Sequence, residues 1–316
     1  MNKTSGITIR QANLLLLLAS VIWGLAFVAQ RVGMRHMTPL AFNGVRFALG
    51  AAVLLPFVLK GLPGRPRQVR TKSLGHTVRS GLVAGLVLVV AATLQQYGVV
   101  FTTAGKAGFI TSLYVVFVPI LGLVIGQRTG RYIWMGVGLS AVGLYLLSAK
   151  GLMGIALGDG LVLIGAVFWA VHVLVIGRLA QDVPVLELAF TQFVVVAVIS
   201  LTGALIFETL TWQGIRGAAV PILYAGVLSV AVAYTLQVVG QTRAHPSHTA
   251  IILSLESVFA AVGGWLILSE DLGARAIAGC VLMLGGVLLA QFRSDEPQSA
   301  QTTGNLAIED NRTDMI

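Results

Sequence analysis

The sequence predicts an all-α integral membrane protein with ten transmembrane helices, arranged as two inverted five-helix repeats. Apolar residues make up 56% of the 316 residues and charged residues only 10%, against roughly 25% charged residues in ordinary soluble domains. Apolar runs of about 18 to 22 residues recur along the chain, and each can cross about 30 Å of hydrocarbon as a helix. An internal repeat relates the two halves. These features exclude a disordered chain and an ordinary soluble enzyme.

The ten predicted spans are helices because no strand-like alternation occurs and because lipid requires every backbone polar group to be paired internally. Pro39 and Pro184 each begin a span, where the missing N–H costs little. In chain order the spans are 12–31, 39–59, 80–100, 107–126, 131–149, 158–178, 184–208, 217–239, 247–268 and 273–292.

These spans divide the chain into a first repeat at 12–149, a second repeat at 158–292 and a polar tail at 293–316. The composition of the tail predicts a disordered cytoplasmic segment. The segment FTTAGKAG is the one most similar to an ATP-binding Walker A loop. It lacks the motif, because Phe101 stands where the first glycine is required and Ala107 where Ser or Thr must follow the lysine. We therefore do not expect this chain to be driven directly by ATP.

The net charge of +9 would suggest a nucleic-acid partner in a soluble protein, but here the basic residues lie between apolar runs. With the amino terminus inside, 14 Lys and Arg fall in inner segments and 6 in outer segments. The positive-inside rule then predicts a multi-pass protein of the cell membrane (plasma or inner) with both termini cytoplasmic. The one cysteine, Cys280, excludes an internal disulfide and a cysteine-based metal site.

The internal repeat is visible as an ordered series of matches. VIWGLAFV around Trp23 matches VFWAVHVL around Trp169, and TLQQYG, starting at Thr93, matches TLQVVG, starting at Thr235. Ser112 then aligns with Ser254, and the glycines at 136 and 143 align with those at 279 and 286. Each repeat holds five spans, so the second must insert upside down relative to the first. Inverted repeats are common in secondary transporters, which bind their substrates near the midplane between the halves.

The last two spans, SLESVFAAVGGWLILSEDLGARAIAGCVLMLGGVLL, resemble the carboxy-terminal signature of the EamA-type drug/metabolite transporter superfamily. The WG of span one and the RF of span two are similar to the start of its first repeat. The resemblance covers about 12–292 and implies ten helices and export of small metabolites, often amino acids. Gln127 stands where the first repeat of the family often has an acid, opposite Glu270. We therefore interpret Glu270 as a structural cap.

Four titratable residues fall inside predicted spans, where a charge costs about 2.5–3.5 kcal/mol at mid-bilayer. Glu187 is near enough to a span end to reach the interface. Glu256 lies about 13 Å deep, which makes it a candidate proton carrier, a substrate contact or a structural group. For Arg46 the alternatives are snorkelling, an acid partner from the second repeat, or a substrate carboxylate. His172 is interpreted as an interhelical hydrogen-bonding group or a relay.

The predicted substrate cavity is amphipathic and draws on polar and aromatic side chains of both repeats. Glutamines of spans three and eight are also expected to pair across helices. The residues predicted to line the cavity are Trp23, Gln96, Tyr97, Tyr114, Trp169, His172, Tyr234 and Gln237.

The function predicted from these features is secondary transport of small organic metabolites, most simply export of amino acids, with proton coupling through Glu256 as one candidate mechanism. The expected partners are a small-molecule substrate, protons and the lipid bilayer; no cofactor, metal or nucleic acid is expected, and the sequence does not indicate an oligomeric state. The alternatives are an importer or exchanger of another solute and a membrane-embedded enzyme. For the enzyme, Ser140 and His172 are a faint Ser–His candidate.

Overall fold

The computed structural model describes residues 7–60, 74–127, 129–147, 157–270 and 273–291, and within these ranges the chain is helical, with no strand. The predicted tail at 293–316 and most of the basic loop at 60–79 lie outside the described residues. The helices are α1 Ile9–Gly33, α2 Pro39–Lys60, α3 Leu74–Val100, α4 Ala104–Thr111, α5 Tyr114–Val124, α6 Arg131–Leu147, α7 Leu157–Leu179, α8 Val185–Phe207, α9 Trp212–Gly217, α10 Ala219–Leu223, a π-helix Tyr224–Tyr234, α11 Thr235–Gln241, α12 Pro246–Leu253, α13 Glu256–Leu268 and α14 Ala274–Gln291.

Eight helical stretches in the described residues are long and apolar enough to cross a membrane. Five of them are the single helices α1, α2, α3, α7 and α8; the other three are the runs Ala104–Val124, Ala219–Gln241 and Pro246–Leu268. Two further apolar helices are shorter: α6 has 17 residues, and the apolar part of α14 is Ile277–Ala290. The chain is therefore a multi-pass membrane protein.

The distribution of polarity is that of a protein surrounded by lipid. Large apolar side chains point outward, with Val124 81% exposed and Phe207 79% exposed. Polar side chains are buried instead, among them Asn43, Gln192 and Ser257. Water would not favour this arrangement, whereas hydrocarbon solvates the apolar surface and drives polar groups to pair inside the bundle.

Two of the membrane-crossing stretches are interrupted at equivalent points. The first breaks at Ser112–Leu113, between α4 and α5, and the second at Ser254–Leu255, between α12 and α13. At the second break, two serine hydroxyls donate hydrogen bonds to one backbone carbonyl, that of Ser254. The donors are Ser112 Oγ at 3.2 Å and Ser257 Oγ at 2.8 Å. The two breaks therefore touch each other in the interior of the bundle.

A third membrane-crossing stretch contains an unusually long π-helix, Tyr224–Tyr234. π-Helical turns are rare and occur mostly at functional sites, because the wider turn changes the direction of the side chains that follow. Here Tyr224 donates its hydroxyl to the Ile22 carbonyl of α1 at 3.0 Å. Tyr234 ends the π-helix and points into the interior.

Helices α6 and α14 pack against each other through glycines that the internal repeat had aligned. A Cβ atom at Gly143 would lie 2.6 Å from the Gly279 carbonyl oxygen, and one at Gly136 would lie 2.8 Å from the Gly286 carbonyl oxygen. Such close backbone approach needs residues without a side chain. The pairing is crossed, because each glycine meets the partner of the other aligned pair.

At one end of the bundle, two carboxylates of the second half, those of Glu208 and Glu270, bind helix N-termini of the first half. We call this end of the bundle the carboxylate end. Glu208 accepts hydrogen bonds from the Leu40 and Ala41 amides of α2, at 3.0 and 3.1 Å. Glu270 accepts from the amides of α4 at Ala104 and Gly105, also at 3.0 and 3.1 Å. Free amides and the helix dipole favour a negative charge at these positions. Glu270 therefore has the capping geometry predicted from the sequence.

Candidate functional site

A buried cavity opens between helices of both halves, at the depth of the two helix breaks. The empty volume between the lining residues is about 460 Å³. Most of this volume is too narrow for a water molecule, and the remainder holds only about two waters. Both polar and apolar side chains line it. The lining residues are Trp23, Phe27, Gln30, Arg46, Gln95, Thr111, Tyr114, Trp169, Val173, Ser229, Tyr234, Gln237, Leu253 and Glu256.

Aromatic rings form one wall of the cavity around Tyr234. The Trp23 ring meets it edge-on with centroids 4.7 Å apart, and the Trp169 ring stacks on it at 6.1 Å. Phe47 and Phe193 pack behind it, with centroids at 5.9 and 5.7 Å. Such a wall offers apolar area together with π faces that attract cationic groups.

Hydrogen bonds fix both indole rings. Trp23 Nε1 donates to the Ser229 carbonyl of the π-helix at 3.1 Å. Trp169 Nε1 donates to Gln95 Oε1 at 2.7 Å, and the amide nitrogen of Gln95 donates to Gln30 Oε1 at 3.0 Å. Each tryptophan is thus held by a group from the opposite half of the chain, so the cavity walls depend on contact between the halves.

Glu256 begins α13, just after the second break, and is 4% exposed. Among the described residues its Oε1 atom has no hydrogen-bond partner, and the polar side chains nearest to it are Tyr114 and Ser112. Tyr114 and Glu256 are also aligned positions of the repeat, each beginning the helix after a break. A buried carboxyl with an unpaired oxygen in a cavity can accept a proton or a hydrogen bond from a ligand.

Arg46 enters the cavity wall from α2 and is 2% exposed. Its Nε donates to Asn43 Oδ1 at 3.0 Å, and Asn43 is itself fixed by a 3.1 Å hydrogen bond to the Ala92 carbonyl. The guanidinium carbon lies 5.0 Å from the centroid of the Phe47 ring. Among the described residues, Lys106 and Asp159 form an ion pair at 2.6 Å. No ion pair in this part of the chain includes Arg46. The acid partner considered for Arg46 from the sequence is thus not present in that part of the chain.

Five of the eight residues predicted to line the cavity do line it, and three lie elsewhere. Gln96 is buried, and neither its amide nitrogen nor its oxygen has a partner. Tyr97 lies at the carboxylate end and donates to Glu208 at 2.6 Å. His172 Nε2 contacts Gln192 Oε1 at 2.9 Å, behind the aromatic wall.

The glutamines of spans three and eight do not pair with one another as the sequence had suggested. Gln95 bonds with Gln30, and Gln241 donates to the Val173 carbonyl at 2.8 Å. The prediction missed Gln95 as a cavity residue, although the repeat contained the signal: the offset that aligns Ser112 with Ser254 also places Gln95 on Gln237, and both line the cavity.

No group of three or more His, Cys, Asp or Glu in the described ranges could hold a metal ion. The chemistry that the cavity offers there is therefore a fixed cation, a titratable carboxyl, amide groups and aromatic faces. This set suits reversible binding of a small polar molecule with an apolar part.

Comparison with known proteins shows the family to which the chain is similar. The EamA-like transporter family matches two stretches of the chain, residues 10–149 and 156–292. A solved crystal structure superimposes with a TM-score of 0.71 at 18% sequence identity, covering 89% of this chain and 96% of that one. That likeness shows a shared fold.

Two relatives are similar over nearly their whole length. One, from Archaeoglobus fulgidus, is named an uncharacterized transporter; it is 32% identical over 283 residues, which is 89% of this chain and 86% of the relative. The other, from Salmonella typhimurium, is named a probable amino-acid metabolite efflux pump; it is 25% identical over 93% of this chain and 99% of the relative. The two matched stretches and these relatives show that the chain is a membrane transporter and belongs to the EamA-like transporter family.

Proposed function

We propose that this protein is a secondary transporter that exports small organic metabolites such as amino acids across the cell membrane. The observation that carries the proposal is the buried cavity, which combines Arg46, Glu256 and an aromatic wall at the contact of both halves. Secondary transporters bind their cargo at such a place, where broken helices expose polar groups in the membrane interior. The amino-acid assignment and the outward direction are further supported by the Salmonella typhimurium relative, which is named a probable amino-acid metabolite efflux pump.

The mechanism that we propose is alternating access between two inverted five-helix repeats with ten spans and both termini cytoplasmic. Several contacts support it by occurring in equivalent pairs. Gly98 packs closely on α7 at Val162, and its aligned partner Gly240 packs on α1 at Leu16. The helix breaks at aligned serines form another pair. Rocking of one repeat against the other would open the cavity to each side in turn.

Two other functions were considered from the sequence: import or exchange of a solute, and catalysis within the membrane. An importer or exchanger has the same cavity, so only a flux measurement distinguishes it. A membrane-embedded enzyme using Ser140 and His172 would need these residues to interact. Instead, the space beside Ser140 Oγ is taken up by Gly286, and His172 contacts Gln192. This geometry argues against a catalytic pair of Ser140 and His172.

The test is transport by the purified full-length protein in liposomes of bacterial lipid. Vesicles are loaded with labelled amino acids, one at a time, and loss of label is followed with and without a pH gradient, beside protein-free vesicles. We expect saturable flux of at least one amino acid, faster when the gradient is imposed. Absence of flux for the whole amino-acid panel would refute the amino-acid proposal, and flux insensitive to the gradient would refute proton coupling.

A further inference from the structure

We propose that Arg46 is the residue that binds the carboxylate of the transported molecule, so that the cargo is a carboxylate-bearing metabolite and not an amine or a neutral solute. This inference rests on the proposed transport function and adds a specificity-determining residue to it. Three features of the structure support it: the lack of a salt bridge to the guanidinium among the described residues, the way the guanidinium is fixed, and the neighbours it has in the cavity.

The guanidinium of Arg46 forms no salt bridge in the described part of the chain. The side chain is 2% exposed. Buried charges in membrane proteins pair with another charge or with backbone carbonyls, because an uncompensated one is costly. An arginine that serves packing would be expected to have such partners. Instead, Arg46 Nε donates to the neutral oxygen of Asn43.

Arg31 shows what a structural arginine looks like in this protein. Its Nη1 atom donates to the carbonyls of Val99 and Val100, at 3.0 and 2.7 Å, and so joins the ends of α1 and α3. Arg31 does not line the cavity. Arg46 differs on both counts, because its known hydrogen bond uses Nε and it forms part of the cavity wall.

The guanidinium of Arg46 is oriented before any ligand arrives. Asn43 holds Nε, and the Phe47 ring lies under the guanidinium carbon at 5.0 Å. In the described part of the chain neither of these contacts uses the two terminal Nη groups, which we propose bind the ligand. A planar guanidinium binds a carboxylate with two parallel hydrogen bonds, and fixing it in advance lowers the entropy cost of binding.

The charge balance of the cavity also favours a carboxylate. Arg46 and Glu256 are the lining residues that carry a full charge when ionised, and the two lining tyrosines are neutral phenols. With Glu256 protonated, the cavity has one positive charge and matches a monoanion. With Glu256 ionised, it has one charge of each sign and matches a zwitterion. In either state the ligand group complementary to Arg46 is an anion, and a carboxylate is the anion that a zwitterionic amino acid supplies.

The test compares leucine, phenylalanine and threonine with their carboxamides, which keep the amine and the side chain but lose the negative charge. Binding to the full-length protein in lipid nanodiscs is read from tryptophan fluorescence, since Trp23 and Trp169 line the cavity. Flux of the same compounds is measured in liposomes. We expect the wild-type protein to bind at least one of the amino acids at least tenfold more tightly than its carboxamide, as loss of a charge-assisted buried hydrogen bond implies.

The Arg46→Gln variant is expected to lose that preference, so that amino acid and carboxamide bind within about twofold of each other. Arg46→Lys keeps the charge without the planar fork and should keep part of the preference. Arg31→Gln is the matched control: it removes a structural arginine outside the cavity and should leave the ratio unchanged. Thermal unfolding in detergent checks that each variant is folded.

The outcomes separate this inference from the transport proposal. Equal binding of amino acids and carboxamides by the wild-type protein would overturn the assignment of Arg46 and leave transport intact. An unchanged preference in folded Arg46→Gln would overturn it as well. Preferential binding of amino acids without any flux would support Arg46 as a carboxylate site and refute amino-acid transport.

Discussion

Two tryptophans at aligned positions of the repeats hold opposite parts of the cavity wall in place. Trp23 donates to the Ser229 carbonyl, and Trp169 donates to Gln95. We predict that Trp23→Phe and Trp169→Phe each raise the KM for transport roughly two- to tenfold, because each loses one buried hydrogen bond of about 0.5–1.5 kcal/mol.

Trp134→Phe provides the comparison for these variants. Trp134 packs against the core on α6 but does not line the cavity, so its KM should stay at the wild-type value. The measurement is initial flux against substrate concentration, at equal amounts of protein in the liposomes. Parallel changes in all three variants would mean that the rings of Trp23 and Trp169 serve packing alone.

Glu256 has the position required of a proton carrier, with an unpaired carboxyl oxygen in the cavity wall. If it carries the coupled proton, Glu256→Gln keeps the shape of the side chain but cannot titrate. We predict that this variant exchanges labelled for unlabelled substrate at near wild-type rate but no longer accumulates it when a pH gradient is imposed. Only a group whose protonation changes during the cycle can couple the gradient to transport.

Exchange and gradient-driven accumulation are measured for Glu256→Gln in the same liposome preparation. A purely structural role of Glu256 would reduce both together, along with the yield of folded protein. Full accumulation by the variant would exclude this residue from the coupling step, and His172 and Glu187 would then be examined in the same way.

At the scale of single residues, sequence reasoning located the aromatic and charged groups better than the amides. Trp23 and Trp169 were predictable because large aromatic rings at matching repeat positions are few, and Tyr234 because it shares a helix face with Gln237. The choice between Gln95 and Gln96 depended on the rotation of α3, and adjacent residues on a helix point about 100° apart. An apolar run with little amphipathicity does not fix that rotation.

At the scale of helices, eight of the ten predicted spans correspond to helical stretches long enough to cross a membrane, but the interruptions within them were not predictable. The predicted span 247–268 corresponds to Pro246–Leu268, but neither break coincides with a proline or a glycine. The breaks at Ser112 and Ser254 depend on each other, because the Ser112 hydroxyl donates to the carbonyl at the other break. Such a contact between distant segments leaves no local signature in the sequence. The π-helix at Tyr224–Tyr234 was missed for the same reason.

Helix α6 offers a test of close packing with two glycines one and a half turns apart. A Cβ at Gly143 would lie 2.6 Å from the Gly279 carbonyl, whereas a Cβ at Gly138 meets nothing within 4 Å. We predict that Gly143→Ala lowers the free energy of unfolding by about 1–3 kcal/mol, since backbone must move to admit the methyl group.

Gly138→Ala is the matched variant on the same helix and should be neutral or stabilising by up to about 1 kcal/mol, because alanine is the better helix former. Unfolding midpoints in mild detergent compare the two variants directly. Equal midpoints for both would show that the contact between α6 and α14 is looser than the structure indicates.

At the scale of the whole molecule, the orientation in the membrane remains a prediction from charge. The 14-to-6 distribution of basic residues places both termini in the cytoplasm. A fluorescent protein fused after residue 293 should therefore fluoresce, and alkaline phosphatase at the same position should be inactive. Within 150–157 the pattern should be reversed, because this segment is predicted to be external. Paired alkaline phosphatase and fluorescent protein fusions measure both sites. The opposite pattern at both sites would reverse the orientation.

The all-helical, multi-pass character of the protein followed from the sequence because lipid leaves few alternatives: apolar runs of sufficient length must be helices with internally paired backbones. Matches such as Ser112 with Ser254 then related the two halves before any contact was known. The sequence did not reveal which faces meet. The contact of α6 with α14 and the position of Arg46 in the cavity wall depend on packing between distant segments, and lipid-facing and buried helix faces are both apolar.

The carboxylates of Glu208 and Glu270 have a consequence for the energy balance of transport. No Asp or Glu precedes Asp159, so the first half has no carboxylate with which to make the reciprocal contacts at the opposite end, where Gln127 stands in place of an acid. Each cap at a partly buried helix N-terminus is worth up to about 2 kcal/mol. Contacts between the two halves are therefore more strongly stabilised at the carboxylate end than at the opposite end. We therefore expect the unloaded carrier to favour a conformation that is closed at the carboxylate end, because the first half has no acids to stabilise closure at the opposite end.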